Sequence, residues 1–402
     1  MGRLSRTEQE LIARAAASPM RERTLAWSAI NSGTGNLPGL ARVADLLADA
    51  FGTLPGTLGY VDPTFVERVA PDGEVEPLAH GRHLHLRVRP DAPVQMLFTG
   101  HMDTVYPADH PFQSVRTLPD GRINGPGVAD MKGGLAIMLA ALEAVERSSL
   151  SSRLGYEVVI NADEETGSFS SAALIERACR GKVAALTFEP ALADGTLAGA
   201  RGGTGNFSLV VRGRSAHAGR NPEDGRNALV AAADLAVRLR NAAGPRLGVN
   251  PARIDGGGPN NVVPDLAILR VNFRPATLDD VERASTHLRS AVNMVAAEHE
   301  VEITSHGSFN RSPKPSSDKI KALQDMVAAA GAALDVSVGF AATGGVCDGN
   351  NIAACGVPVV DTMGARGGAI HSADEYLIPE SLPERAQLAA LTIVRIVEKG
   401  AP

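Results

Sequence analysis

The chain has 402 residues, 44% hydrophobic and 21% charged but only 4% aromatic, so any core is built chiefly from Ala, Val, Leu and Ile. A length of this size suits two domains. The net charge of −6 argues against a nucleic-acid-binding surface, and no apolar run is long enough to span a membrane.

The stretch Met1–Met20 carries scattered arginines and no apolar segment of the signal-peptide kind. Three cysteines, Cys179, Cys347 and Cys355, form no CxxC pair. They suit a reducing cytoplasm and are expected as small buried hydrophobes.

Helical periodicity runs over residues 8–17 and 38–51. Arg82–Arg89 alternates polar and apolar, which predicts a half-exposed strand with His83 and His85 on its solvated face. The apolar run Val94–Phe98 reads as a buried strand that ends in Gly100-His101-Met102-Asp103-Thr104-Val105. Lys132–Arg147 predicts a buried helix entered through Gly133-Gly134. Tyr156–Ile160 is a strand ending in the acidic run Asp163-Glu164-Glu165, and Ala184–Phe188 is another, ending at Glu189. Alternating strands and helices predict an α/β fold with a mixed, largely parallel sheet. In such sheets, sites form where strands end.

The order then changes. Asn206–Val211, Arg226–Arg240, Leu247–Ile254, Leu266–Phe273, Leu278–Glu298 and Val301–Ser305 read as β-α-β-β-α-β, a ferredoxin-like unit. A joint, Ser312-Pro313-Lys314-Pro315, marks its exit, and the last stretch returns to α/β patterning and carries His371. The predicted division is therefore a catalytic domain of residues 1–199 and 312–402 with residues 200–311 inserted as an α+β domain.

His101, Asp130, Glu165, Glu189 and His371 make a set of two imidazoles and three carboxylates. Five residues can hold two metal ions if one carboxylate bridges them. Two metals about 3.5–4 Å apart can share a hydroxide and polarise a carbonyl. These donors suit Zn2+, Co2+ or Mn2+ and do not choose among them. Asp103, two residues past His101, can reach the far ring nitrogen and fix the tautomer. Glu164 neighbours Glu165, and in extended backbone adjacent side chains point in opposite directions. One can bind metal while the other faces the nucleophilic water, so Glu164 is the candidate general base.

Taken together, Ser32-Gly33-Thr34-Gly35, Gly-His101-Met-Asp-Thr-Val-Tyr, Gly-Pro-Gly-Val-Ala-Asp130-Met-Lys-Gly-Gly, Asp-Glu164-Glu165-Thr-Gly-Ser, Phe-Glu189-Pro, Ser-Ala-His217-Ala-Gly, Asn260-Asn261-Val-Val-Pro and His371-Ser372 carry a family likeness. The chain resembles the dinuclear-zinc carboxypeptidases and deacylases of the glutamate carboxypeptidase, aminoacylase, acetylornithine deacetylase and succinyl-diaminopimelate desuccinylase group. It is nearest to bacterial glutamate carboxypeptidase, and the likeness covers nearly the whole chain. The resemblance implies a homodimer formed through a lid domain and a bridging hydroxide as nucleophile. It implies that His101 and Glu189 hold one zinc, Glu165 and His371 the other, and that Asp130 bridges them, with a cis peptide after Asp130. It further implies that Glu164 is the base, that Asp103 orients, that His217 reaches the partner's site to steady the oxyanion, and that Asn261 and Arg274 receive the substrate carboxylate.

The late loop Thr343-Gly344-Gly345-Val346-Cys347-Asp348 keeps a substrate-side Gly344 and departs from the glutamate-specific pattern afterwards. Arg366, or Asn350, is expected to shape a pocket for a different side chain. The implied reaction is hydrolysis of an amide next to a free-carboxylate amino acid, with an acyl-amino acid or peptide as substrate. Its rival is N-deacylation, or ureido or amidino hydrolysis, in the same site. A binder without catalysis is disfavoured because Glu164 is present. No GxGxxG, GxxxxGK[ST] or GxSxG occurs, which disfavours nucleotide-binding and serine-hydrolase readings.

Overall fold

A computed structural model describes residues 4–400, so residues 1–3 and 401–402 of the predicted catalytic segments lie outside the described residues. At the centre is a six-stranded sheet. Its order is Thr57–Val61, His83–Val88, Leu154–Asn161, Val94–His101, Ala184–Thr187, Val359–Val360. The first two pairings are antiparallel and the other three parallel. Val94–His101 is buried on both faces, as a parallel strand covered by helices on both sides must be.

One cover is the helix Gly133–Glu146, apolar almost all round and buried along nearly its full length, the mark of a core helix. The C-terminal helix Ser381–Lys399 and the N-terminal helices Arg6–Ala16 and Met20–Ser28 pack against it. The short helices Ala172–Ala178 and Asp348–Ala354 cover the opposite face through a second apolar cluster of Leu174, Ile175, Ala178, Ile352 and Val359. Met20–Ser28 has no apolar stripe, and for that reason periodicity does not predict it.

A second sheet, antiparallel, runs in the order Leu247–Gly256, Leu266–Pro275, Thr204–Arg212, Glu302–Arg311. The helices Ala228–Arg240 and Leu278–Glu298 close a separate core on it, including Leu209, Leu235, Phe273 and Leu288. The order of elements is the predicted β-α-β-β-α-β. The chain runs between the two sheets twice, and the two crossings lie side by side: Arg201 and Lys314 exchange backbone hydrogen bonds of 2.9 Å in each direction.

Two expectations are corrected. His83 is fully buried instead of solvated, because its strand has partners on both sides and the loop after Asn161 closes over it. Its Nδ1 accepts from the Ala162 N–H at 3.2 Å and its Nε2 lies 3.3 Å from Ser170 Oγ. His85 is half-buried on Glu157 at 2.6 Å. Cys179 and Cys347 are buried, but Cys355, at the end of a helix, is exposed. Among the described residues no helix is long and apolar enough to cross a membrane.

The approach of the core helix to the sheet depends on glycine. A Cβ on Gly134 would sit 1.9 Å from the Phe188 carbonyl oxygen, a backbone atom that cannot rotate away. Gly134→Ala is therefore expected to destabilise the fold by about 2 kcal/mol or more, read as a lower urea midpoint. An unchanged midpoint would show that helix and strand can separate freely.

Candidate active site

Three neighbouring strands of the central sheet deliver candidate ligands from one end. Val94–His101 ends in His101, Leu154–Asn161 leads to the turn Glu164–Thr166, and Ala184–Thr187 leads to Glu189. The strands are parallel and in register, His101 beside Asn161 and Thr99 beside Thr187, so their C-terminal loops crowd together. Asp130 comes from the turn Val128–Lys132 before the core helix, and the Asp130–Met131 peptide is cis as expected. His371 arrives from the C-terminal segment on a backbone with φ 61°, uncommon for a residue other than glycine.

Asp130 lies in the middle. His101 Nε2 is 3.2 Å from Asp130 Oδ1, and His371 Nε2 is 3.3 Å from Asp130 Oδ2. Each imidazole faces one more carboxylate: His101 meets Glu189 at 3.7 Å and His371 meets Glu165 at 3.2 Å. Glu164 is close to the first half, with one carboxylate oxygen within 4.8 Å of donor atoms of His101 and Glu189.

Burial, then Asp130 as neighbour, pushes the Glu165 carboxyl up to about 8. Burial likewise raises Glu189 and Glu164. Asp130 is held below the usual range: burial opposes ionisation, but the hydrogen bonds to His101 and His371 outweigh it. Hydrogen bonds to Asp130 and Glu165 push His371 up to about 10. Four carboxylates thus compete for two imidazoles.

Glu189 Oε1 is buried with no hydrogen-bond partner. A buried acceptor left so is costly, and the donor set suits a divalent cation as the missing partner. The residues present therefore fit a bound divalent cation.

Supporting groups surround the cluster. His101 Nδ1 lies 3.1 Å from the Asp103 carbonyl oxygen and 3.4 Å from its carboxylate, which keeps Nε2 for the cluster. The Asp103 carboxylate also accepts from the Glu164 and Glu165 N–H groups, both at 3.2 Å, and from Thr34 Oγ1 at 2.7 Å. Asp103 thus orients three candidate residues, two of them through their backbone.

Sequence reasoning missed two residues here. Glu375 is buried and accepts from the N–H groups of Gly127, Ala129 and Asp130 at 3.0–3.1 Å and from the Tyr106 hydroxyl at 3.0 Å. Its signal was its place four residues after His371. Arg311 is buried, with Nη2 2.7 Å from Glu164 Oε1 and donating to the Glu164 carbonyl at 3.0 Å. Nothing in the sequence around it marks it beyond its position at the joint between the sheets.

The remaining candidates are elsewhere. His217 is exposed on the second unit, its strand position bridging Val262, with Asn261 adjacent. Arg274 is exposed, bonds Asn272 through Nε at 2.8 Å, and is lowered in pKa by partial burial and by Arg311.

Gly344 is exposed with open space around it, and it is the neighbouring Thr343 and Gly345 that line the cavity beside the cluster. Arg366 does not reach that cavity. Its Nε and Nη2 donate to the Ala193 carbonyl at 2.9 and 2.7 Å and its Nη1 to Glu384 at 3.1 Å, so it braces the turn after Glu189 from behind. Asn350 is fully buried and gives its amide hydrogens to the Gly202 and Ser312 carbonyls, tying the two crossings together instead of facing substrate.

The sequence model of Peptidase family M20/M25/M40 matches residues 97–395. Carboxypeptidase G2 of Pseudomonas sp. (strain RS-16) is 29% identical over 377 residues, covering 91% of this chain and 86% of that protein. Succinyl-diaminopimelate desuccinylase of Verminephrobacter eiseniae (strain EF01-2) is 27% identical over 305 residues, 70% of this chain and 74% of that one. Among solved structures, an M20 family metallo-carboxypeptidase of Sulfolobus solfataricus superimposes with a TM-score of 0.71 at 14% identity, covering 93% of this chain and 98% of that one, a likeness of fold.

Glu375 gathers the backbone that presents Asp130, so Glu375→Ala should weaken Zn2+ or Co2+ binding by about 10- to 100-fold with far-UV circular dichroism unchanged. Equal affinity in calorimetry would remove Glu375 from the support of the site.

Proposed function

The chain belongs to peptidase family M20/M25/M40 and is a hydrolase of amide bonds, and from this premise we propose that it cleaves the amide next to a free-carboxylate amino acid, as a carboxypeptidase of the glutamate carboxypeptidase type. The observation that carries the reading is Asp130, with one oxygen turned to each imidazole and a glutamate beyond each. In this reading His101 and Glu189 would hold one divalent cation and Glu165 and His371 a second, with Asp130 shared between them; zinc is the proposed metal, with cobalt and manganese as substitutes. Such a pair supplies Lewis-acid polarisation of the scissile carbonyl and acidifies water.

Glu164 takes the proton from the attacking water on its carboxylate and returns it to the departing nitrogen. Arg311, 2.7 Å from Glu164 Oε1, orients that carboxylate. Arg274 has Asn272 as its one side-chain partner among the described residues, which suits it to grip the substrate carboxylate beside Asn261. Residues 200–311 act as the lid on a body of residues 1–199 and 312–402, and His217 serves the partner's site in a homodimer. Supporting the dimer are Val230 and Val237, 52% and 59% exposed on the outer face of one helix, and the unpaired edge of Leu247–Gly256. The unpaired cysteines support a cytoplasmic location.

N-deacylation of an acyl-amino acid is the second reading, favoured by the likeness to desuccinylases; ureido or amidino hydrolysis would use the same groups.

A panel of dipeptides and N-acyl amino acids should be hydrolysed by zinc-loaded protein, and Glu164→Gln should lose at least about 100-fold in kcat while keeping its metals. Full activity in that variant, or no metal bound by either protein, would overturn the reading. A second test addresses the partner's role: mixing inactive His217→Ala and Glu164→Gln proteins should restore activity that neither has alone, because each hybrid dimer holds one complete site. No recovery after confirmed subunit exchange would place His217 outside the partner's site.

A further inference from the structure

A cavity of about 340 Å3 opens directly from the metal cluster, with Glu164, Glu165, Glu189 and His371 at one end. The rest of its wall is mostly apolar and small, including Leu192, Leu197, Ala198, Ala342, Val346 and Ile370, interrupted by Thr196, Thr343 and Thr362 and by Arg201. Leu192 is 59% exposed and Ile370 40%, two large apolar side chains left uncovered at the mouth. Large apolar groups exposed together beside a site point to an apolar occupant.

Arg201 is the one Lys or Arg on the lining. Its Nε and Nη2 are bidentate on Asp361 at 2.8 and 3.0 Å, and its Nη1 donates to the Gly345 carbonyl at 3.0 Å. That guanidinium is therefore already paired. Arg274, Asn261 and His217, the groups assigned to the substrate carboxylate and oxyanion, do not line this cavity. The wall is also firm: Arg366 and Arg385 donate to the Ala193 and Gly195 carbonyls behind the turn that carries Leu192 and Thr196.

We propose that this cavity receives the group on the acyl side of the scissile amide and selects an uncharged, apolar acyl chain over an acidic one. The proposal rests on the amide hydrolysis argued above and deepens it. An acidic chain would bring a carboxylate into an apolar pocket whose cation is already spoken for, and burying an unpaired charge is expensive.

The experiment pairs two chains of equal length, one with a terminal carboxylate. Hexanoate and adipate are titrated calorimetrically into the zinc-loaded protein, and N-hexanoyl and N-adipoyl derivatives of one amino acid are compared as substrates. Hexanoate should bind at least about tenfold more tightly than adipate, and kcat/KM should follow the same order. Ala342→Phe should weaken hexanoate relative to acetate by about tenfold, and Ala342→Arg should narrow the gap to adipate. Equal or tighter adipate binding to the wild type would mean that the excess positive charge of Arg201 and Lys314 around Asp361 governs the pocket, and would overturn the proposal. Hexanoate affinity untouched by Ala342→Phe would do the same, by placing the chain elsewhere. Preferred hexanoate binding without turnover of either derivative would keep the apolar preference of the cavity but reject the amide hydrolysis, and with it the acyl-side assignment.

Discussion

Asp130 divides its two oxygens between two imidazoles, and much of the neighbouring structure exists to hold it in that position. A carboxylate that must face two ways cannot be left to its own rotamer preferences. Its backbone is fixed from one side by Glu375, which collects the N–H groups of Gly127, Ala129 and Asp130, and from the other by the start of the core helix. Gly127 enters this turn with φ 71°, and a Cβ there would meet Thr104 at 2.7 Å. The core helix can begin immediately afterwards only because Gly134 lets it lie against the Phe188 carbonyl. Phe188 is in turn the residue before Glu189, so the same contact that seats the helix sets the height of another candidate ligand.

Charge crowding at this point has a structural cost that the fold spreads widely. Burial raises the proton affinity of Glu164, Glu165 and Glu189 together. Neutralising partners are supplied from distant parts of the chain: His371 from the last segment, Arg311 from the end of the second sheet, and buried Lys132 facing Glu375 and Asp103. The two crossings between the sheets show the same economy. Arg201 and Lys314 pair through their backbones, and both their side chains end on Asp361, with Lys314 Nζ at 2.6 Å. Buried cations of this kind are tolerable because the carboxylate between them is shared.

What could be read from the sequence was what depends on local pattern. Buried strands that end in His101, Asp163-Glu164-Glu165 and Glu189 announce themselves as apolar runs followed by acidic loops, and the β-α-β-β-α-β order follows from periodicity. What could not be read depends on partners far along the chain. His83 lies on the polar face of an alternating strand, and only the loop after Asn161 makes that face interior. Arg366 is close to His371 in sequence, yet its guanidinium is drawn back to Ala193 and Glu384. Asn350, expected at the substrate pocket, instead ties the crossings together, and Arg311 looks like an unremarkable polar residue until its place against Glu164 is known. Glu375, four residues after His371, is illegible for another reason: its targets are backbone N–H groups, which leave no trace in side-chain chemistry.

The charge around the site is unequal on its two flanks, and that inequality bears on how a substrate lies. On the side of the second sheet stand Arg274 and Arg311, and Arg311, held by Glu164 and Asp348, adds to the burial that disfavours the charge of Arg274. Arg311 is already paired with Glu164 and Asp348, so of the two it is Arg274, bonded only to Asn272 among the described side chains, whose charge an added anion would favour. On the side of the turn after Glu189 the wall is mostly Leu, Ala, Val and Ile with three threonines, and its one arginine is closed onto Asp361. An amide with a carboxylate on one flank and a hydrocarbon on the other can satisfy both sides only in a single direction. Under the proposed reaction, the orientation of the bond over Glu164 would then be set by electrostatics at one end and by desolvation at the other.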